Sequence, residues 1–272
     1  MPLTRRSRAI AGALGAASAL LVPARAAAQA QELPGVLQTT LPPPSTRGYY
    51  GAGWVRVPLS LDMIVTEGKG WDYTAGAGSI GVHVGATSKW YFDAMGGGGF
   101  GGGHVFFNGK KEGGNFSGNH LQATLGRKVY LSETSMAVAF AGANWGRQVF
   151  TWNGTEGGSP DDWSLTSRTV ATPAGVFLNY GREFQIVPSI VVTRVWTART
   201  DYRLGGSGVT TASVKFDPYF TETAGFEMGS AMTGIYFGGY VQATPAMKGY
   251  SAQTTVMAQL TWALKMRAPG VQ

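Results

Sequence analysis

The sequence predicts an all-β chain: a single antiparallel up-and-down β-barrel of about ten strands that crosses a membrane, with eight as the alternative count. Three observations predict it. Segments alternating with period two follow one another from about residue 48 to 267, their connections take turns between short and long, and their polar faces carry charges in mid-strand.

The first segment sets Val55, Val57, Leu59, Leu61, Met63 and Val65 opposite Arg56, Ser60 and Asp62. The last sets Val256, Ala258, Leu260, Trp262, Leu264 and Met266 opposite Thr255, Gln259, Thr261 and Lys265. Between them the pattern predicts strands at about 72–85, 89–106, 120–132, 135–151, 168–182, 185–203, 210–225 and 232–244. Short links fall at 86–88, 133–134, 181–184 and 227–231; longer ones fall at 66–71, 107–119, 152–167, 204–209 and 244–251. In an up-and-down barrel this alternation puts all short turns at one rim with both chain ends, and all long loops at the other.

Which face is apolar decides between water and membrane. A soluble barrel fills its interior with large aliphatic side chains, whereas a membrane barrel turns apolar residues outward and polar or small ones inward. A basic residue on a lipid face costs about 2–4 kcal/mol near the midplane. The charged residues Arg56, Asp62, Asp93, Lys128, Arg194, Lys215, Asp217 and Lys265 are therefore assigned to the lumen. Trp90, Phe92, Trp145, Trp196, Tyr202 and Trp262 lie near strand ends, as interfacial girdles do. Glu222 falls on the apolar parity of its strand, which leaves a bulge, a rim position or an eight-stranded barrel open.

Residues 1–30 carry Arg5, Arg6 and Arg8, an apolar run from Ala9 to Val22 and a small-residue end at Ala28-Gln29-Ala30, the layout of a cleaved secretory signal. Ser7 and Arg8 after the arginine pair fit general secretion better than twin-arginine export. Residues 31–47, with Pro42 to Pro44, read as a proline-rich tail or linker, and 268–272 as a C-terminal tail. There is no cysteine, hence no disulfide, thiolate metal site or lipid anchor. The net charge of +7 includes the four arginines of the leader. Without them 18 basic and 15 acidic residues leave +3, weak grounds for nucleic-acid binding, and none is assigned.

Seven of the eight residues from Gly96 to Gly103 are glycine. A phosphate-cradling loop needs a helix behind it, and no helical pattern follows. The parity of Trp90, Phe92 and Ala94 continues through Phe100 to Phe106, so the run reads as a strand. Phe100 then faces lipid, and Gly97, Gly99, Gly101 and Gly103 face the lumen, where they permit sharp curvature or leave space for large groups.

The histidines carry no chemistry by spacing. His83 shares the inward face of Ser79 and Gly81, His104 lies near a strand end, and His120 closes the predicted 107–119 loop, with no metal-ligand or triad pattern. No catalytic, metal or cofactor residue is assigned. The sequons at Asn115 and Asn153 and the Lys110-Lys111-Glu112 tip fall in predicted long loops, the tip as a solvated turn or a contact for lipopolysaccharide phosphates.

Over 48–267 the chain resembles bacterial outer-membrane β-barrel proteins as a general class, by pattern and not by a family motif. The resemblance implies an outer-membrane location, contact with outer-membrane lipid and lipopolysaccharide, and handling by the barrel-assembly machinery. Barrels of this class often end on a terminal aromatic; here Trp262 is the nearest, and residues 267–272 follow. Enzymatic barrels place a histidine beside an acid or serine, and an omptin-like protease also has an acidic pair at its outer rim. Only Asp161-Asp162 matches half of that. The expected function is a non-enzymatic structural or surface-interaction barrel with a filled lumen. A narrow anion-biased pore and a soluble apolar-ligand carrier are the alternatives.

Overall fold

The computed structural model describes residues 53–68, 71–107, 110–152, 163–204, 210–247 and 252–266. The chain divides into Met1–Ala30 and Gln31–Gln272, and every described residue belongs to the second unit. The leader, the proline-rich tail, the 268–272 tail, the Asn153 sequon and Asp161-Asp162 lie outside the described residues.

Eleven strands are described: β1 Trp54–Gly68, β2 Trp71–Gly85, β3 Trp90–Phe107, β4 Lys110–Ser132, β5 Ser135–Trp152, β6 Trp163–Tyr180, β7 Phe184–Leu204, β8 Thr210–Phe216, β9 Tyr219–Ser230, β10 Ile235–Thr244 and β11 Gln253–Met266. All pairings are antiparallel between chain neighbours, apart from the β1–β11 closure and the seam at β8 and β9. There β7 pairs through Ala198–Leu204 with β8 and through Phe184–Val195 with β9. The two short strands share one wall position, interrupted at Asp217-Pro218 because proline has no N–H for the ladder. The result is a closed ten-stranded antiparallel barrel.

The closure pairs Val55 with Met266 at the short-turn end, beside the turns at 86–89, 133–134, 181–183 and 231–234. Gly181 and Gly234 take positive φ (95° and 73°) in two of these turns, a conformation that side chains disfavour. The predicted loop at 107–119 is corrected. β4 begins at Lys110, so residues 110–119 are strand, His120 lies within it, and Asn115 and Ser117 are exposed on the wall. Alternation could not reveal this, because Phe116 is the only large apolar side chain of 110–119.

A 25 Å apolar band takes about ten residues at the usual tilt, and β4 has 23. Its outward residues Leu121, Ala123, Leu125, Val129 and Leu131 supply such a band, interrupted by Arg127 over the Trp90 ring, and Asn119, Ser117 and Asn115 continue above it. Leu121, Trp145 and Val170 are consecutive register partners and mark the upper border of the band on β4, β5 and β6. The barrel is therefore tall, rising well past the membrane on this side.

The glycine run occupies β3 in the predicted register, with Phe100 79% exposed on the outer face. A Cβ on Gly101 would come within 2.0 Å of the Thr74 carbonyl oxygen, and one on Gly103 within 2.0 Å of that of Asp72. These positions admit only glycine where β3 curls closely against β2.

Candidate functional site

The interior is layered. At the long-loop end, Ile64, Tyr73, Val105, Phe116, Phe150, Trp152, Leu165, Tyr202, Tyr240 and Met257 form one buried cluster with Trp163 and Val214 against it. These side chains come from every wall position of the barrel. Tyr73 and Phe116 stack at 4.4 Å, and Trp152 meets Phe150 and Trp163 at 5.9 Å each.

A second layer, Tyr91, Met136, Val138, Phe140, Phe177, Val187 and Val191 with Trp54, lies toward the short turns. Lys128 is buried there with its Nζ 4.8 Å from the Trp54 ring centroid, a cation–π contact. A third cluster, Ala171, Val195, Ala198, Phe216 and Tyr219, lines the wall behind the β8–β9 break.

Polar side chains lie buried between the apolar layers. On β5 Asn144 and Gln148 lie between Phe140 and Phe150, and on β1 Ser60 and Asp62 lie between Trp54 and Ile64. They pair across strands: Gln259 donates to Asp62 (2.8 Å), Ser60 and Thr261 share a bond (2.9 Å), and Gln242 donates to Thr223 (3.2 Å). Tyr236 donates to Gln185 (2.8 Å), and Tyr240 donates to the buried Glu227 carboxylate. Buried groups satisfied in this way hold a fixed arrangement.

The charges assigned to the lumen divide. Asp62, Asp93 and Lys128 are buried in the interior, Asp93 being 0% exposed. Arg56 is half-buried and reaches the Ala263 carbonyl (3.5 Å); its register partner Lys265 is exposed at the short-turn rim.

Arg194, Lys215 and Asp217 are corrected: all three are exposed. The interior at that corner is apolar, occupied by Val191, Val195 and Phe216, so both faces of β7 carry hydrophobic residues and charge had to go outward. Arg194 lies 3.8 Å over the Trp196 ring, whose Nε1 donates to Thr172 (2.8 Å). The β6–β7 register shifts between Val170 and Ala171 and leaves Trp196 as the extra residue, so parity reverses above it. Glu222 is exposed, as its parity required.

Two Asp–His pairs were invisible in the sequence because cross-strand register creates them. His83 and Asp93 are partners on β2 and β3, both buried, 3.2 Å apart. On the outer wall above the apolar band, His104 meets Asp72 at 2.7 Å and Lys111 reaches the other carboxylate oxygen at 3.3 Å. Partial burial pushes the Asp72 carboxyl up, but the bonds from His104 and Lys111 outweigh it and hold it below the ordinary carboxylate range. Among the described residues no group of three or more potential ligands could hold a metal ion.

Solved structures share the architecture. The outer-membrane protease OmpT of Escherichia coli superposes with a TM-score of 0.56 at 12% identity, over 81% of this chain and all of that one. The translocator domain of the autotransporter NalP of Neisseria meningitidis gives 0.50 at 8% identity, over 80% and 90%. No protein-family model and no curated protein sequence matches the chain. The fold is that of the bacterial outer-membrane β-barrel proteins, and at these identities the likeness is one of fold alone.

Proposed function

We propose that the protein is a closed outer-membrane barrel that conducts no solute and works through its outer surface and its long-loop end. The observation that supports this reading is the apolar cluster drawn from every wall position at the long-loop end of the lumen. A constriction lined by hydrophobic side chains excludes water and ions even when it is not sterically sealed.

The glycines of β3 offer no pore either, because the neighbouring backbone of β2 takes up the space that their side chains would fill. The anion-selective alternative loses Lys215, which points outward. We read the barrel as non-enzymatic: although His104 has the acid partner Asp72, it bonds to no hydroxyl nucleophile among the described residues. Export through residues 1–30 and delivery by the assembly machinery belong to the same proposal.

Liposome swelling tests it. Vesicles containing the refolded barrel should swell in isotonic arabinose no faster than empty vesicles; swelling that scales with protein content would establish the porin-like alternative.

A further inference from the structure

The tall outer wall carries a row of cations assembled by register. Arg147 of β5 pairs with Arg168 of β6, Arg168 with Arg199 of β7, and Arg199 with Lys215 of β8. All four are exposed on the outward face. Side chains directly opposite on neighbouring strands are about 4.5–5.5 Å apart at Cβ, and like charges placed so repel. Four in succession is an arrangement that a sheet keeps at a cost unless an anion joins it.

Among the described residues one carboxylate joins the row. Asp201 accepts from Arg168 (2.8 Å), from Arg199 (2.7 Å) and from the Ser213 hydroxyl (2.9 Å). Among the described residues no acidic side chain pairs with Arg147 or Lys215. Arg203, exposed two residues beyond Asp201, adds a further positive charge. A shallow pocket of about 320 Å³ opens at this place, lined by Arg199, Asp201, Arg203, Ser164, Thr166 and Ser213 among others. It combines cations with hydroxyl donors, the mixture that phosphate oxygens accept from.

The position relative to the membrane identifies the occupant. Leu121, Trp145 and Val170 end the outward apolar run on β4, β5 and β6, and the next outward residues are Asn119, Arg147 and Arg168. Arg147 and Arg168 thus lie one outward step above the acyl region, where lipid headgroups lie, with the exposed Trp145 and Val170 directly below them; the outward residues below Arg199 and Lys215 are Thr197 and Asp217.

We propose that this strip binds the phosphorylated headgroup of an outer-leaflet glycolipid, with phosphates on Arg147, Arg168, Arg199 and Lys215 and acyl chains against Trp145 and Val170. The site rests on the outer-membrane setting and is independent of whether the lumen conducts. Asp201 holds two arginines in place and limits the net positive charge.

Binding is measured by native mass spectrometry of the detergent-solubilised full-length barrel with bisphosphorylated lipid A, its dephosphorylated form and phosphatidylcholine. The wild type should retain the bisphosphorylated lipid at least tenfold more strongly than the other two. Arg147→Gln/Lys215→Gln, which breaks no contact of Asp201, should lose at least tenfold; Arg182→Gln at the opposite rim should lose nothing. Asp201→Asn should tighten retention, an effect that a purely structural ion cluster would not produce. Equal retention of all three lipids, or an unchanged Arg147→Gln/Lys215→Gln barrel that still shows heat-modifiable migration, would overturn the site. Displacement of the lipid by millimolar inorganic phosphate would assign the strip to free phosphate and also overturn it.

Discussion

Tyr73 of β2 and Phe116 of β4 stack over the strand that separates them, their ring centroids 4.4 Å apart and their planes 16° from parallel. They meet because their register partners on the intervening β3 are Gly103 and Gly101, which put nothing between the rings. The glycine run thus serves the lumen twice, by curling the wall against β2 and by making room for an aromatic pair.

Substitution within the run should therefore depend on face. Gly101→Ala and Gly103→Ala drive a Cβ into β2 backbone, and overpacking of this kind costs about 1–3 kcal/mol. Gly102→Ala, facing outward with its nearest contact 3.5 Å away, should be tolerated. Urea unfolding in detergent, followed by heat-modifiable migration, should separate the two inward variants from the outward one.

The buried Glu227 depends on the Tyr240 hydroxyl. Tyr240→Phe keeps the ring in the upper layer but removes the donor, and the loss of a hydrogen bond of this kind costs about 0.5–1.5 kcal/mol. The double variant Tyr240→Phe/Glu227→Gln should recover part of that loss. Without recovery in a double-mutant cycle, the bond contributes little.

On the outer wall, Arg194 is a charge tolerated rather than required. A basic residue facing lipid costs about 0–4 kcal/mol with depth, and stacking on an exposed aromatic returns about 0.5–1 kcal/mol. Arg194→Leu should leave stability unchanged or raise it. Trp196→Ala, which loses both the stacking and the hydrogen bond to Thr172, should cost about 1–2 kcal/mol. A larger loss for Arg194→Leu than for Trp196→Ala in the same denaturation assay would reverse this assignment.

The Asp72 cluster predicts a pH effect. A carboxyl held low in the fold stabilises it above the group's unfolded pKa, and that contribution disappears as pH falls through the lower folded value. Wild type should lose stability over the acidic range below the ordinary carboxylate value, and Asp72→Asn should be less stable at neutral pH with a shallower acidic decline. Parallel acid profiles for the two proteins would remove the cluster from the stability balance.

How much of this was legible in the sequence follows from what alternation can encode. Strand number, the short-turn rim and the inward glycines follow from period and parity, and the outward Phe100 with them. Residues 110–119 did not, because a strand rising past the membrane has water on its outer face and no apolar stripe to show. Arg194 and Lys215 were misplaced for the opposite reason: around Val191, Val195 and Phe216 both faces are apolar, and a bulge at Trp196 reverses the parity. The Asp–His pairs and the basic row depend on register between strands, which no single segment specifies.

Single-channel recording in planar bilayers tests the filled lumen most directly. The wild-type barrel should give no reproducible conductance steps, while Trp152→Ala/Phe140→Ala/Phe177→Ala, which thins the upper and the lower apolar layer together, should open stable steps at the same protein density. Steps in the wild type that the triple variant leaves unchanged in size would mean that ions pass the apolar cluster, and would contradict a lumen closed by its side chains.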